Sequence, residues 1–180
     1  MNRRTAIRNL ALVLGSAAIL PACTEHSPVA HFKHFDVNID QQSLVAGIAE
    51  TIIPKTTSPG ATDLNLDKFI WLMVDDCSKK ADQQSFLKGL REFNDLTKKM
   101  YSKSFADCSK AEKTAILKSF DKNKTYSKDL LGFYNTVHGL TVYGYTESQY
   151  FMTKEIVYEL IPGRYNAHFP VKNLKASKNG

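Results

Sequence analysis

Apolar positions recur at spacings of three and four through most of this chain, and the recurrence predicts helices. Leu44, Ile48 and Ile52 fall on one face of a first segment, with Asp40 placed to cap it and Pro54 to end it. A second carries Leu66, Phe69, Ile70 and Met73, and a longer third carries Phe86, Leu90, Phe93, Leu96 and Met100. The fourth opens on "SKAE", where Ser109 and Glu112 form a capping box ahead of Ala115, Ile116 and Phe120. The fifth, about Lys128 to Tyr143, is apolar nearly all round (Leu130, Leu131, Phe133, Tyr134, Val137, Leu140, Val142), which predicts a buried central helix. A second capping box, Thr146 and Gln149, precedes a last helix with Ile156, Val157 and Leu160, stopped by Pro162-Gly163. Strand-like alternation and internal repeats are absent from the pattern. The expectation is an all-α, single-domain bundle of about six helices over residues 39–170, large enough to bury a core.

The pattern upstream is different. Leu10 to Ala22 is an apolar run too short for a membrane span, preceded by Arg3, Arg4 and Arg8 and followed by "LPAC". A basic start, a short apolar middle and a small-residue exit make residues 1–22 an export signal. Arg3-Arg4 with Thr5-Ala6-Ile7 is twin-arginine-like, with Ala6 where that motif prefers a bulkier residue. "LPAC" looks like a lipobox, making Cys23 the lipid attachment site; the alternative is an ordinary signal with an incidental Cys23. Residues 23–38 lack a clean period and are expected to be a tether, and 171–180 a frayed tail.

The signal changes the charge balance. The chain carries 24 basic and 18 acidic residues, but three of the arginines belong to the leader, which leaves a net +3. Lysines interleave with acids as on any solvated surface, and nothing forms a nucleic-acid stripe.

Candidate chemistry is sparse. With Cys23 as anchor, Cys77 and Cys108 remain: an exported compartment favours a disulfide, against the alternative of two free thiols. CxxC and CxxCH are absent, which removes covalent haem and the common cysteine-paired zinc sites. GxGxxG, a P-loop and GxSxG are absent as well. His26, His31 and His34 share the tether, and spacing allows a metal there, although a solvated trio without a ligand is the commoner case. His138, within the apolar fifth helix, reads as a hydrogen-bonded core histidine ahead of an acid–base role. His168 stands alone near the end, and Asp75-Asp76 read as a polar helix end. Catalytic, cofactor and metal residues are therefore assigned to none.

Two stretches are more specific. "AETIIPKTTSPGA" (Ala49–Ala61) ends a helix and crosses a turn with two prolines and a glycine. "GYTESQYFMTKEIVYELIPGRY" (Gly144–Tyr165) joins a Gly-Tyr turn to a capped helix and a Pro-Gly-x-Tyr exit. With the export signal and the helical pattern between them, they resemble the gluconate 2-dehydrogenase subunit 3 family over about Ser43 to Phe169. The matching residues are Glu50, Pro54, Pro59, Gly60, Ala61, Phe69, Gly144, Tyr145, Tyr158, Pro162 and Gly163.

The resemblance implies a small accessory subunit of a periplasmic, membrane-associated dehydrogenase. It places FAD in a large flavoprotein partner of the glucose–methanol–choline oxidoreductase type and haem c in a cytochrome that takes the electrons, with no cofactor in this chain. It implies also that the small subunit carries the flavoprotein out through a twin-arginine signal. The lipobox departs from members that lack one and bears on whether the cytochrome alone is the membrane anchor. The apolar turns suggest a partner interface at Ile53, Pro54, Pro59, Gly60, Tyr145, Tyr158, Pro162, Gly163 and Tyr165. The leading expectation is an exported, lipid-anchored, non-catalytic subunit that supports export, assembly and membrane attachment of a sugar- or polyol-oxidising flavoprotein. The alternatives are a free-standing lipoprotein that binds a small molecule or envelope partner, and a small enzyme using His138 with a carboxylate.

Overall fold

A computed structural model describes residues 29–122 and 125–156. Residues 1–22, expected to be an export signal, and Cys23, His26, His168, Tyr158, Pro162, Gly163 and Tyr165 lie outside the described residues.

The first described element is not a free tether. β1 (Val29–His31) and β2 (Asp36–Asn38) pair antiparallel, with Ala30 opposite Val37. Phe32 and Phe35, in the connecting turn, lay their rings on Trp71, with centroids 5.8 and 6.1 Å away, and Val37 is buried. Three-residue strands have no period long enough to register as a pattern, so the sequence hid them.

β2 runs straight into α1 (Ile39–Ile52). Its cap is Asn38 rather than Asp40: Asn38 Oδ1 accepts from Gln41 N at 2.9 Å, and Gln41 Oε1 accepts from Asn38 N at 2.9 Å. Asp40 instead sits in the first turn, where its charge suits the positive end of the helix dipole. After a loop, α2 (Leu66–Cys77) and α3 (Lys80–Tyr101) follow, and α3 stops where Ser102 takes a left-handed φ of 56°. α4 (Lys110–Lys122) begins with the expected box: Ser109 N donates to Glu112 Oε2 and Glu112 N to Ser109 Oγ. α5 (Lys128–Thr146) is capped by Ser127, which accepts from Leu130 N at 3.0 Å.

The expected second box does not form. α5 runs through Thr146, whose hydroxyl donates back to Tyr143 O. Ser148 starts the next turn by accepting from Phe151 N, and a π-helical turn, Phe151–Glu155, ends before an extended Ile156. Among the described residues the architecture is therefore five α-helices, one π turn and a small hairpin, and the all-α expectation holds.

α5 is the hub, packing on α1, α2 and α3. Its contact with α3 is close because residue 89 is glycine: a Cβ there would lie 2.2 Å from Asp129 O and 2.6 Å from Phe133 Cβ. Lys88 pairs with Asp129 across the same crossing. A chain of rings runs from Trp71 through Phe86, Phe133 and Phe93 to Phe120 and Tyr134, and Phe93, Phe105 and Phe133 are fully buried. Each such ring contributes about 1.5–3 kcal/mol by leaving water. The periodic positions mostly reach this core, but Met100 and Val142 are 45% and 41% exposed. The α3 seam runs on through buried Thr97, whose hydroxyl is satisfied by Phe93 O, to half-buried Tyr101, and Met100 falls out of phase beside it.

Candidate docking surface

The first motif builds a folded loop between α1 and α2. Ile53 N donates to Ala49 O and Ala61 N to Ile53 O, so the loop doubles back on the end of α1. Glu50 sits inside it. One of its oxygens accepts from Lys55 N at 3.0 Å; the other accepts from Thr62 N at 3.0 Å and Thr62 Oγ1 at 2.7 Å. Burial tends to raise the Glu50 carboxyl, but the bonds from Thr62 and Lys55 outweigh it and hold the carboxyl below its usual value. Asp63 completes the arrangement, accepting from Gly60 N and pairing with Lys55 at 3.0 Å.

The loop accounts for much of the motif. Gly60 is buried against the Glu50 carboxylate, and Ala61 is fully buried. Ile53 packs on the core, and Pro54 and Pro59 are half-buried. These five residues shape and close the loop.

The second motif meets the start of α2, just beyond the first motif. Gly144 lets α5 approach α2: a Cβ on it would lie 2.9 Å from the Phe69 ring. One residue earlier, Tyr143 sets its ring 6.2 Å from that of Phe69. Tyr145 is half-buried on the other side, against Tyr150 and Phe151. Together the loop residues Asp63 and Asn65, Phe69, Tyr143, Ser148 and Tyr150 line an open groove of about 790 Å³. Its floor is aromatic, and Glu147 and Lys154 add charge to the lining.

Exposed apolar surface lies beside this groove. Among the described residues the exposed large apolar side chains are Ile39, Leu72, Met100, Val142, Tyr143 and Ile156. Leu72 is one turn along α2 from Phe69, and Val142 and Tyr143 are on α5.

The residues with candidate chemistry are dispersed. His31 pairs with Asp36 at 2.9 Å on the hairpin, and His34 with Asp75 at 3.1 Å. Among the described residues no three His, Cys, Asp or Glu side chains come together in a metal-holding group. His138 is not a core histidine. α5 buries Leu130, Phe133, Tyr134, Val137 and Thr141, and that phase turns His138 to solvent, its ring beside Tyr134. Cys77 and Cys108 are free thiols, so the bridge is not formed. Cys77 is exposed at the end of α2 and donates to Met73 Sδ, whereas Cys108 is buried and donates to Ser104 O. Asp75 is no mere helix end: it is 4% exposed and accepts from Lys33 N, His34 N and the His34 ring, fastening the hairpin to α2. Sequence spacing carried no signal for that partnership across 41 residues.

Among the described residues the protein is a helical bundle in which the first motif closes a loop and Phe69, Tyr143 and Gly144 frame a groove. Its family follows from comparison: the profile described as gluconate 2-dehydrogenase subunit 3 matches residues 39–163, and the chain belongs to that family of accessory subunits. The family name associates it with a dehydrogenase complex. Comparison with curated proteins and with solved structures returns no match. Among the described residues no helix is long and apolar enough to cross a membrane.

Proposed function

We propose that this chain is an exported, lipid-anchored, non-catalytic subunit that supports export, assembly and membrane attachment of a flavin-dependent sugar or polyol dehydrogenase. The family match over residues 39–163 carries the reading. In it, FAD belongs to the large flavoprotein, haem c to the cytochrome that accepts its electrons, and this chain supplies the leader, the anchor and a binding surface. The Arg3-Arg4 leader supports export of a folded cargo, and the "LPAC" exit supports acylation at Cys23. Lipid on Cys23 would hold the assembly at a membrane, since more than one acyl chain gives stable anchoring.

Two strains test it. A strain lacking the chain should accumulate the flavoprotein in the cytoplasm and lose dehydrogenase activity from the envelope. A Cys23→Ser strain should export both proteins but release them into the soluble fraction. Export of active flavoprotein in the deletion strain would refute the assembly role. Retention of the Cys23→Ser protein in the membrane would refute the lipid anchor.

A further inference from the structure

α3 and α4 show ions to solvent along their length: Lys88, Arg91, Asp95 and Lys98 on one, Lys110 and Lys118 on the other. α5 does not. From Leu130 through Thr146 it has no Asp, Glu, Lys or Arg, although Asn135, His138, Gly139, Val142 and Tyr143 are exposed. Tyr143 is 53% exposed and touches Phe69, and Leu72, also 53% exposed, is one turn further along α2. Gly132 and Gly139 sit on the same helix, where a Cβ would meet nothing within 4 Å. Glycine weakens a helix interior, and among the described residues no neighbour needs the space. Charge depletion with exposed tyrosine marks the centre of a protein interface.

We propose that the α5 face around Gly139, Val142 and Tyr143, continued over Phe69 and Leu72 into the groove, is where the catalytic dehydrogenase subunit docks. This inference rests on the accessory-subunit reading and names the surface that performs it. Charge selects the occupant. The uncharged α5 stretch at its centre can be desolvated without stranding an ion, whereas an anionic lipid surface or nucleic acid would engage lysine-bearing faces. The family's association with a dehydrogenase complex selects that partner over a second copy of this chain. A 19-residue helix is about 28 Å long. A strip about 10 Å wide along it offers on the order of 300 Å², against about 800 Å² per partner in a stable interface. An interface centred on α5 therefore has to extend across α2 to the groove. The backbone left open at Gly139 then lets the dehydrogenase surface approach closely, and Tyr143 supplies the aromatic anchor.

The full chain, co-expressed with the host's flavin-dependent dehydrogenase, provides the test. Recovery is read as FAD absorbance and dehydrogenase mass per mole of captured subunit. Gly139→Arg places a bulky charge in open space, and Tyr143→Glu charges the anchor; Met100→Glu is the control on exposed α3 surface. The expected result is at least a tenfold loss of dehydrogenase with Gly139→Arg and with Tyr143→Glu. Helical spectra should stay unchanged, and Met100→Glu should recover the dehydrogenase like wild type. A folded Gly139→Arg protein that recovers dehydrogenase as well as wild type overturns the assignment while leaving the accessory role standing. Wild type that recovers none removes both. A wild-type dimer in light scattering that Gly139→Arg converts to monomer would give the face to a second copy and overturn the proposal.

Discussion

A Cβ placed on Gly60 would lie 2.5 Å from Oε1 of Glu50, so these two residues fit together only because one lacks a side chain. The same Cβ would lie 2.7 Å from the Lys55 backbone nitrogen, which itself donates to Glu50. The crowding leaves little room for either to yield. Gly60→Ala should therefore destabilise the fold by about 1–3 kcal/mol. Urea denaturation should show it as a lower midpoint with an unchanged slope. A wild-type midpoint would mean that the loop rearranges freely.

Asp75 ties the hairpin to α2 through two backbone N–H groups and the His34 ring. Asp75→Ala strands those donors and should cost about 1–3 kcal/mol. The loss should be local: protease cleavage and amide exchange should accelerate at Phe32–Phe35, while α3 and α5 keep their protection. Equal acceleration throughout would show that the hairpin and bundle unfold as one unit.

The S-x-x-E spacing at Ser109 and Glu112 was legible because both partners of that box are local. So was the helix count, since α3 and α4 carry clear apolar stripes. Other features were hidden for physical reasons. The hairpin is too short for a period, and its fastening to Asp75 is a tertiary bond. His138 was misplaced because a helix apolar nearly all round gives no phase from which to tell inside from outside. Thr146 and Ser148 are both plausible caps two residues apart, and only the extra length of α5 decides between them. The groove joins Phe69 and Tyr143, 74 positions apart, so the second motif could be noticed without the surface it helps to form.

Acid should loosen the protein in a defined window. Glu112 is held down to about 2 from an ordinary 4.5, chiefly by its bond from Lys103 and then by those from Ser109. Burial raises the Asp75 carboxyl, but the Lys33 and His34 N–H groups outweigh it and keep it below its ordinary 3.8. Both shifts are downward, so the stability they contribute is complete above the unfolded values and is lost as pH falls through the folded ones. The thermal midpoint of Glu112→Gln should sit below wild type at pH 6, and the gap should close as pH approaches 2. A gap that persists at pH 2 would assign the effect to packing instead of charge.

The two glycines inside helices at Gly89 and Gly139 should respond to alanine with opposite signs. At Gly89 the new carbon would meet Asp129 backbone and Phe133 Cβ, which cannot swing aside, so Gly89→Ala should cost about 1–3 kcal/mol or more. At Gly139 it would meet open space, so Gly139→Ala should stabilise by about 0.5–1 kcal/mol through helix propensity alone. Equilibrium unfolding of the pair reads the contrast directly. A destabilised Gly139→Ala protein would show that α5 already packs against something on that face.

The thiols should differ in reactivity. Burial pushes the Cys108 thiol up, the Glu112 charge adds to it, and Lys103 and Lys113 offset only part. A buried, protonated thiol is a poor nucleophile, whereas Cys77 lies exposed at the end of α2. In a Cys23→Ser protein without reductant, a colorimetric disulfide reagent should label one thiol per chain quickly and the second only after denaturant is added. Fast labelling of both would place Cys108 within reach of solvent. Labelling of neither, reversed by reductant, would reveal a bridge between Cys77 and Cys108 and require the segment from the end of α2 to the start of α4 to be rearranged.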